Sequence, residues 1–496
     1  MSIETELKLS ISPAHLNRLR RHPLLRKLAS GRAVSRKLHS VYYDTPDLKL
    51  HSKAMALRLR HEAKKWLQTL KGGGSVQTGL HQRNEWETPV PAEQLDFRAL
   101  TASNAPLPRG LQKKLQPVFV TDFSRNMRLL HFEGAEIELC MDSGEIRAGE
   151  KYCPISELEL ELKSGDPQQL FRLALALLDI VPLELEQTSK AEHGYRLLAG
   201  DQIQASKGVF PILDNSRNIA SALHSMIVSC LQHIQASVPG VLHDIDEEFL
   251  HQVRVGLRRL RVILAMAETL QEDKELQMLH REVSGLCVEL GRLREWDVFV
   301  TQTLTSIRDR LPQHSGLAEV LAMCETIRKQ RHAEMVDRLQ SQDYQRFLLR
   351  FGAWLCGPYW HITPSESLHE FALRILDKRS SQVARRGSNL VDAKVDQLHT
   401  LRIACKKLRY SAEMFSSLFP KGKITGYVGA LSKLQDILGT LHDIAVAHLL
   451  LDKMDDEKYH DALILIRGWL EHDCADNLSR LAKQWKHFSA RKPFWI

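Results

Sequence analysis

Two periods of hydrophobic alternation divide the chain. Through residues 1–200 apolar positions recur every second residue, the spacing of a strand with one buried face. The pattern runs through ETELKLSI (4–11), ALRLRH (56–61), KWLQTLK (65–71), HQRNEWET (81–88), DFSRNMRLL (122–130), AEIELCMD (135–142) and ELELELKS (157–164). Turn-forming clusters separate these runs: GGG at 72–74, DSGE at 142–145 and KSGDP at 163–167. Helical interludes are expected over about 12–29, 92–100, 108–115 and 167–179. This half reads as an antiparallel β domain with enough strands to close a barrel. Residues 201–215, DQIQASKGVFPILDN, read as a linker. From 216 to about 490 the period becomes helical, with few internal breakers, which predicts an all-α domain of about eight to ten helices. The expected fold is therefore α+β in two domains: a closed antiparallel β-barrel, then a helical bundle.

Composition narrows the class without naming a function. The chain has 496 residues, 43% hydrophobic and 26% charged, ordinary for a globular protein and too apolar for a disordered one. No run approaches the ~18 apolar residues of a membrane span, so no membrane partner is expected. The opening MSIETELKLSIS has acids where a signal peptide is basic and then apolar, and the eight cysteines form no CxxC pair. A reduced, cytoplasmic protein is expected. The 68 Lys and Arg against 60 Asp and Glu leave +8, split as +5 in residues 1–200 and +3 in the rest. Neither half is strongly basic, so any anion site must come from clustering.

In the β half the charges cluster by strand face. Alternation puts Glu4, Glu6 and Lys8 on one face, opposite Leu7 and Leu9. Glu157, Glu159, Glu161 and Lys163 share a face, as do Arg58 and Arg60, Thr69 and Lys71, and Arg83, Glu85 and Glu87. Glutamate is a poor strand former, and like charges stacked two apart repel unless a cation intervenes. A barrel with a polar lumen brings the acidic and basic faces together, with the apolar faces turned outward under helices. Clustered carboxylates bind hard divalent cations such as Mg²⁺, and Arg and Lys hold phosphate oxygens. The combination suits a metal–triphosphate complex and phosphoryl transfer to water.

These residues, taken in order, resemble the CYTH superfamily, the triphosphate tunnel metalloenzymes. The resemblance rests on Glu4-x-Glu6-x-Lys8, YYDT (42–45), LRLR (57–60), LK (70–71), RNEWE (83–87), FSR (123–125), Asp142-x-Gly144, the ELELELK strand and SKAEHGY (189–195), and it spans essentially all of 1–200. It implies a closed barrel whose tunnel is lined by acidic and basic side chains. Glu4 and Glu6 would hold Mg²⁺ or Mn²⁺, with Glu159 and Glu161 completing the acidic side. Lys8, Arg58, Arg60, Lys71, Arg83 and Arg125 would grip the triphosphate, and Lys190 would reach in from the C-terminal segment. Asp44, Glu85, Glu87, Asp142, Glu157 and Lys163 would organise those basic residues. Arg128 falls on the opposite strand face from Arg125 and ranks below it. The catalytic group is then Glu4, Glu6 and Lys8.

The helical half contains a repeat. HQVRVGLRRLR (251–261) matches HTLRIACKKLR (399–409) at an offset of 148, which holds through Leu290-Gly291 and Leu438-Gly439, Arg294 and His442, and Glu295 and Asp443. His251, Arg254, Arg258 and Arg261 fall on one helical face, and His399, Arg402, Lys406 and Arg409 on its counterpart; Arg259 and Lys407 are also basic in both copies. Two stripes in register make a paired surface for a linear polyanion. The motif H-x-x-R-x-x-x-[RK]-[RK]-x-R followed by LGxLR and LGxLHD resembles the CHAD domain. That resemblance covers roughly 215–490 and implies binding of inorganic polyphosphate through those residues.

The function this points to is hydrolysis of inorganic tripolyphosphate to pyrophosphate and phosphate, with a polyphosphate-binding helical domain. The alternatives are an organic triphosphate hydrolase or adenylate cyclase, and a non-catalytic polyphosphate scaffold. A pure scaffold has no need of Glu4, Glu6, Glu159 and Glu161. Nucleic acid is not an expected partner, because aromatic residues do not interleave the stripes apart from Tyr410.

Overall fold

A computed structural model describes residues 2–62, 65–108, 110–200, 204–205, 207–390, 393–454 and 457–496. The linker read over 201–215 therefore lies partly outside the described residues. The chain divides into two compact units, Met1–Gln204 with Gln340–Tyr359, and Ala205–Leu339 with Trp360–Ile496.

The first unit is built on strands β1 (Ser2–Ser10), β2 (Val34–Asp44), β3 (Met55–Glu62), β4 (Lys65–Gln77), β5 (Leu80–Val90), β6 (Gln116–Phe132), β7 (Ala135–Ala148), β8 (Lys151–Ser164) and β9 (Glu184–Leu185). Neighbours pair in the order β5-β4-β3-β2-β6-β7-β8-β1, and β1 pairs back to β5, closing an eight-stranded barrel; all the pairings are antiparallel. The short β9 adds to β1 outside the ring through Leu9–Leu185 and Ser10–Glu184. Short helices α1 (Pro13–Arg20), α2 (Pro23–Leu28) and α3 (Phe97–Ala102) precede α4 (Gln168–Leu178) and α5 (Lys190–Ala199).

Outward strand positions supply the apolar core. Leu7, Leu9, Leu139, Leu158 and Leu160 are fully buried beneath Leu170, Phe171, Leu173 and Leu177 of α4. Each such leucine contributes roughly 1.5–3 kcal/mol of transfer free energy. Helix α5 packs inside the ring against β6, β7 and β8, where Tyr195 joins Tyr42, Phe119 and Phe123.

Several sequence expectations shift here. β2 carried no strand reading, because its first four residues are exposed and its inward Ser40 breaks the apolar pattern. GGG at 72–74 is not a turn but a bulge in β4, where Gly72 faces Asn84 and Gly74 faces Arg83. Gly74 has φ +105°, and a Cβ there would lie 2.0 Å from the Gln82 carbonyl oxygen, so only glycine fits. DSGE at 142–145 also lies within a strand, since β7 runs on to Ala148. The interlude at 12–29 splits into α1 and α2, and among the described residues of 108–115 the helical element is a 3₁₀ turn at Gln112–Lys114.

The second unit contains α6 (Ile219–Leu242), α7 (Glu247–Ala267), α8 (Lys274–Val298), α9 (Thr305–Arg310) and α10 (Ser315–Gln340), then α12 (Leu368–Arg386), α13 (Val395–Met414), α14 (Lys421–Leu451) and α15 (His460–Ser489). Helix α11 (Gln342–Leu355), between the two sets, belongs to the first unit. Adding 148 to the bounds of α6, α7, α8 and α10 lands within about five residues of those of α12, α13, α14 and α15. The repeat is thus four helices long on each side, wider than the two motif-bearing helices legible in sequence. A π-helical segment, Phe299–Leu304, interrupts the first copy after α8, while α14 runs unbroken. The stretch Lys421–Met454 is long and apolar enough to cross a bilayer by length and composition, but α14 packs between α13 and α15 as α8's counterpart.

Candidate functional site

The barrel closes around the charged faces. A cavity of about 250 Å³ is lined by Glu4, Glu6 and Lys8 of β1, Arg58 and Arg60 of β3, and Lys71 of β4. Arg83, Glu85 and Glu87 of β5, Arg125 of β6, Glu159, Glu161 and Lys163 of β8, and Lys190 of α5 complete it. Register explains the convergence: Lys8 sits opposite Glu159 and Glu6 opposite Glu161, while Lys71 sits opposite Glu85 and Arg125 opposite Asp142. Residues two apart on facing strands then build one wall. Arg128 points away, donating to the Arg20 carbonyl at 2.9 Å.

Asp142 and Glu157 sit behind the lining. The carboxylates of Asp142, Glu157 and Glu159 lie within 4.8 Å of one another. Lys190 joins all three, at 2.6 Å to Asp142, 3.0 Å to Glu159 and in a short contact with Glu157. Arg125 grips Asp142 in a two-pronged pair at 2.8 and 2.6 Å and also reaches Glu159, which Lys8 contacts too. Burial opposes the charge on Glu159, but Lys190, Lys8 and Arg125 outweigh it and hold its carboxyl well below the usual range. Asp142 is likewise held low against burial by Lys190 and Arg125. Glu157 goes the other way, with burial and the Glu159 charge prevailing over Lys190. Lys190 opens α5, where the helix dipole disfavours a cation, so these acids are what stabilise it there. Ser189 caps that turn by accepting from the Glu192 amide at 3.2 Å.

The opposite wall is short of anions. Arg60 donates to Ser40 Oγ at 3.2 Å, and burial together with the Arg58 and Arg125 guanidiniums lowers its pKa to about 10. Arg58 lies 3.6 Å from Glu85. Lys71 lies 3.5 Å from Glu85 and makes a closer contact with Glu4. Lys8 reaches Glu6 at 3.0 Å, Lys163 reaches Glu161 at 2.7 Å, and Glu87 accepts from Thr69 at 3.1 Å. Glu161 is pushed up by burial, with Glu4 and Glu138 adding to it against Lys163. Glu4, Glu6, Glu159 and Glu161 thus offer hard oxygen donors to one lumen, each balanced by a lysine that a divalent cation could replace.

Asp44 is placed differently from its expected role among the basic residues. It is fully buried and accepts from the backbone amides of Thr45, Leu50 and His51 at 2.6, 2.8 and 2.9 Å, fixing the β2–β3 connection. The sequence reading quoted Tyr42 and Ser189 within YYDT and SKAEHGY but gave them no role; both line the cavity, Tyr42 opposite Arg58. It also passed over His81, which is fully buried across from Glu6 and pushed down to about 4 by burial and by Lys8. Tyr42 and His81 sit at the same parity as recognised lumen residues, and that parity was the available signal.

In the second unit a cavity of about 580 Å³ gathers both stripes: His251, Arg254, Arg258 and Arg261 of α7, and His399, Arg402, Lys406 and Lys407 of α13. Arg292, Arg294, Glu295, Gln302, His442 and Asp443 also line it, the acids and His442 lying at repeat-related positions. Two stripe residues lie elsewhere. Arg259 donates to the Gly208 carbonyl at 2.7 Å and pairs with Glu413 at 3.4 Å, and Arg409 pairs with the same glutamate at 3.5 Å. Among the described residues no carboxylate comes within 4.0 Å of Arg254, Arg258, Arg402 or Lys406. Burial, then Arg258, Arg402 and Arg254, push Lys406 down to about 5. Burial and Arg258 bring Arg254 to about 9. His442 packs on His399 with 3.2 Å between ring nitrogens, and burial and Arg402 drive it to about 3. Burial and mutual repulsion thus outweigh the nearby Glu295 and Asp443 carboxylates at Arg254, Arg402 and Lys406, which makes the cavity favourable for an anion.

Comparison with known proteins decides the family. Residues 2–195 match the CYTH domain and residues 225–452 match the CHAD domain. The chain is a CYTH domain followed by a CHAD domain. An inorganic triphosphatase of Haemophilus influenzae is 38% identical over 194 residues, 39% of this chain and 54% of that protein. The chain thus spans about half the length of that curated relative. The crystal structure of the CHAD domain from the plant Ricinus communis matches 58% of this chain and 98% of its own, at 27% identity and a TM-score of 0.52.

Proposed function

We propose that the CYTH barrel is a divalent-metal-dependent triphosphatase acting on inorganic tripolyphosphate, and that the CHAD domain binds polyphosphate. The observation that carries this reading is the lumen itself. Eight cationic and six carboxylate side chains line one cavity of about 250 Å³, which suits an anion and its metal together. Mg²⁺ or Mn²⁺, held by Glu4, Glu6, Glu159 and Glu161, would neutralise phosphate charge and polarise the reacting phosphorus–oxygen bonds. Arg58, Arg60, Lys71, Arg83 and Arg125 grip the phosphate oxygens and stabilise charge as it builds on them during in-line attack by water. Lys8 bridges the acidic and basic walls, and Lys190 holds the acids that fix Arg125. The relative from Haemophilus influenzae supports the hydrolase reading.

A second reading has its own observation. A further cavity of about 370 Å³ adjoins the lumen through Lys71, Arg83 and Ser189, lined by His51, Met55, Gly72–Gly74, Val76 and Tyr195. It has room for the organic group of a nucleoside or thiamine triphosphate. Phosphate release from tripolyphosphate, ATP, thiamine triphosphate and 5′-triphosphate RNA, each with Mg²⁺ and Mn²⁺, separates the readings. Tripolyphosphate is expected to give the highest kcat/KM, and a preference for an organic triphosphate would reverse the assignment. The location proposed is the cytoplasm; all eight cysteines are free thiols.

A further inference from the structure

The outside of the barrel carries a cationic feature that the lumen does not use. Between Glu6 and Asp44 the chain contains no Asp or Glu, yet nine Lys and Arg fall there. Residues 1–200 hold 29 Lys and Arg against 24 Asp and Glu, and without those nine the balance reverses to 20 against 24. The positive excess of this half therefore comes from one segment. Lys8 faces the lumen, whereas the other eight, from Arg18 to Lys37, are all exposed. Arg36 pairs with Glu62; among the described residues the remaining seven have no carboxylate within 4.0 Å.

The charges stand on a fixed frame. Leu16 and Leu19 of α1 and Leu25 of α2 are buried in the outer core, and Ala29 bridges to Leu130. Burial and the nearby Arg20 and Arg26 charges hold Arg128, beneath the segment, below the usual arginine value. Helix dipoles explain part of the pattern, since Arg18 and Arg20 fall in the last turn of α1, and Arg26 and Lys27 in that of α2. Arg21 is the C-cap of α1 and fits the same account, but dipoles do not explain Arg32 and Lys37, nor the lack of any acid between Glu6 and Asp44. The chemistry of the face narrows its occupant. No Phe, Trp or Tyr precedes Tyr42, so the face lacks the large aromatic platforms on which successive single-stranded bases stack. Leu16, Leu19 and Leu25 are buried, and Leu24 and Leu28 pack half-buried on the same core, so neither helix presents a continuous apolar face to a bilayer. A face of exposed cations with neither feature suits a partner that is mostly negative charge.

We propose that this face is a docking surface for inorganic polyphosphate, holding the distal part of a long chain at the barrel while its end enters the lumen. The proposal rests on the triphosphatase reading and deepens it, because it makes long chains substrates. β2 carries the segment directly into the lumen wall through Tyr42.

The test uses the full chain with Arg254, Arg258, Arg402 and Lys406 replaced by Ala, which silences the helical cavity. This parent should still bind long-chain polyphosphate with a steep salt dependence. Adding Arg18→Gln, Arg20→Gln, Arg21→Gln, Arg26→Gln and Lys27→Gln should weaken binding at least about tenfold and flatten the log–log salt slope by roughly 3. Lysine at the same five positions should restore both. Phosphate release from tripolyphosphate, which reports on the lumen, should be the same in the parent, in the glutamine variant built on it and in the lysine variant built on it. If the parent binds polyphosphate but releases no phosphate, the hydrolase reading fails while the docking result stands by itself. Unchanged affinity and slope in the glutamine variant would overturn the proposal. So would duplex DNA or anionic vesicles displacing polyphosphate at equal charge concentration.

Discussion

At the level of single residues, the two candidate sites treat charge in opposite ways. In the lumen nearly every cation has a carboxylate partner, and Lys190 alone serves three. Lys190→Ala should leave the buried Glu157 without its ion-pair partner, strip one cation from Asp142 and Glu159, and destabilise the barrel by about 3–5 kcal/mol, read as a lower denaturation midpoint. In the helical cavity Lys406 has no such partner and sits near pKa 5. Burial and the neighbouring Arg258, Arg402 and Arg254 therefore favour its neutral form in the free protein. Because its folded value lies below its unfolded one, the unfolded chain binds more protons between these values, and its contribution to stability rises with pH across that window. On the proposed function, a bound polyphosphate chain would reverse the local field and favour the charged form. Binding at pH 7 should then take up close to one proton through Lys406, measured by calorimetry in buffers of different ionisation enthalpy. The uptake should vanish in Lys406→Met, and equal uptake in the variant would refute this role. Strand parity made the lumen residues legible in the sequence, from Glu4 to Lys163. It could not reveal that Asp44 would turn to backbone amides, nor that Arg259 and Arg409 would share Glu413 outside the cavity, because those outcomes depend on contacts from distant segments.

Among the elements, α5 matters most to the lumen. It lies against β6, β7 and β8 and presents Lys190 from its first position. Gly194 lets it approach, since a Cβ there would lie 2.2 Å from the Phe119 ring. Gly194→Val should push the helix off the wall, cost about 1–3 kcal/mol and lower kcat more than KM, because Lys190 and the acids it holds shift together. Normal kcat with normal stability would show that α5 is a passive plug. This helix was visible in sequence only as the motif SKAEHGY. Long strands with glycines were harder still: GGG and DSGE read as turns, and both lie in strands where the pairing register, not local propensity, decides. β2 escaped detection because its polar positions face the lumen or solvent and its apolar run is short.

For the molecule as a whole, the sequence divided the chain once, near residue 200, and the structure divides it again. Helix α11, between the two helical repeats, packs on α4 of the barrel unit. Gln345 accepts from the Leu185 amide at 2.9 Å, Gln342 accepts from that of Leu183 at 3.2 Å, and Gln168 donates to the Ala353 carbonyl at 2.8 Å. Leu349 and Ala353 complete the outer core. No periodicity marks a helix as belonging to another domain, so this exchange was not legible. A fragment ending at residue 200 should accordingly show a lower melting temperature than the barrel in the intact chain. Gly352→Leu, whose Cβ would meet the Phe171 ring at 2.1 Å, should reproduce much of that loss. A fragment as stable as the intact barrel unit would mean that α11 adds nothing.

The central claim is that the charged lumen hydrolyses a triphosphate with a divalent cation held by glutamates. It is tested most directly by phosphate release from tripolyphosphate as Mg²⁺ is titrated, in the intact chain and in Glu4→Gln and Glu6→Gln. The account predicts Mg²⁺-dependent release in the intact chain and a fall of about 10²-fold or more in each variant, with the fold retained. Full activity in both variants, or release that ignores Mg²⁺, would contradict it.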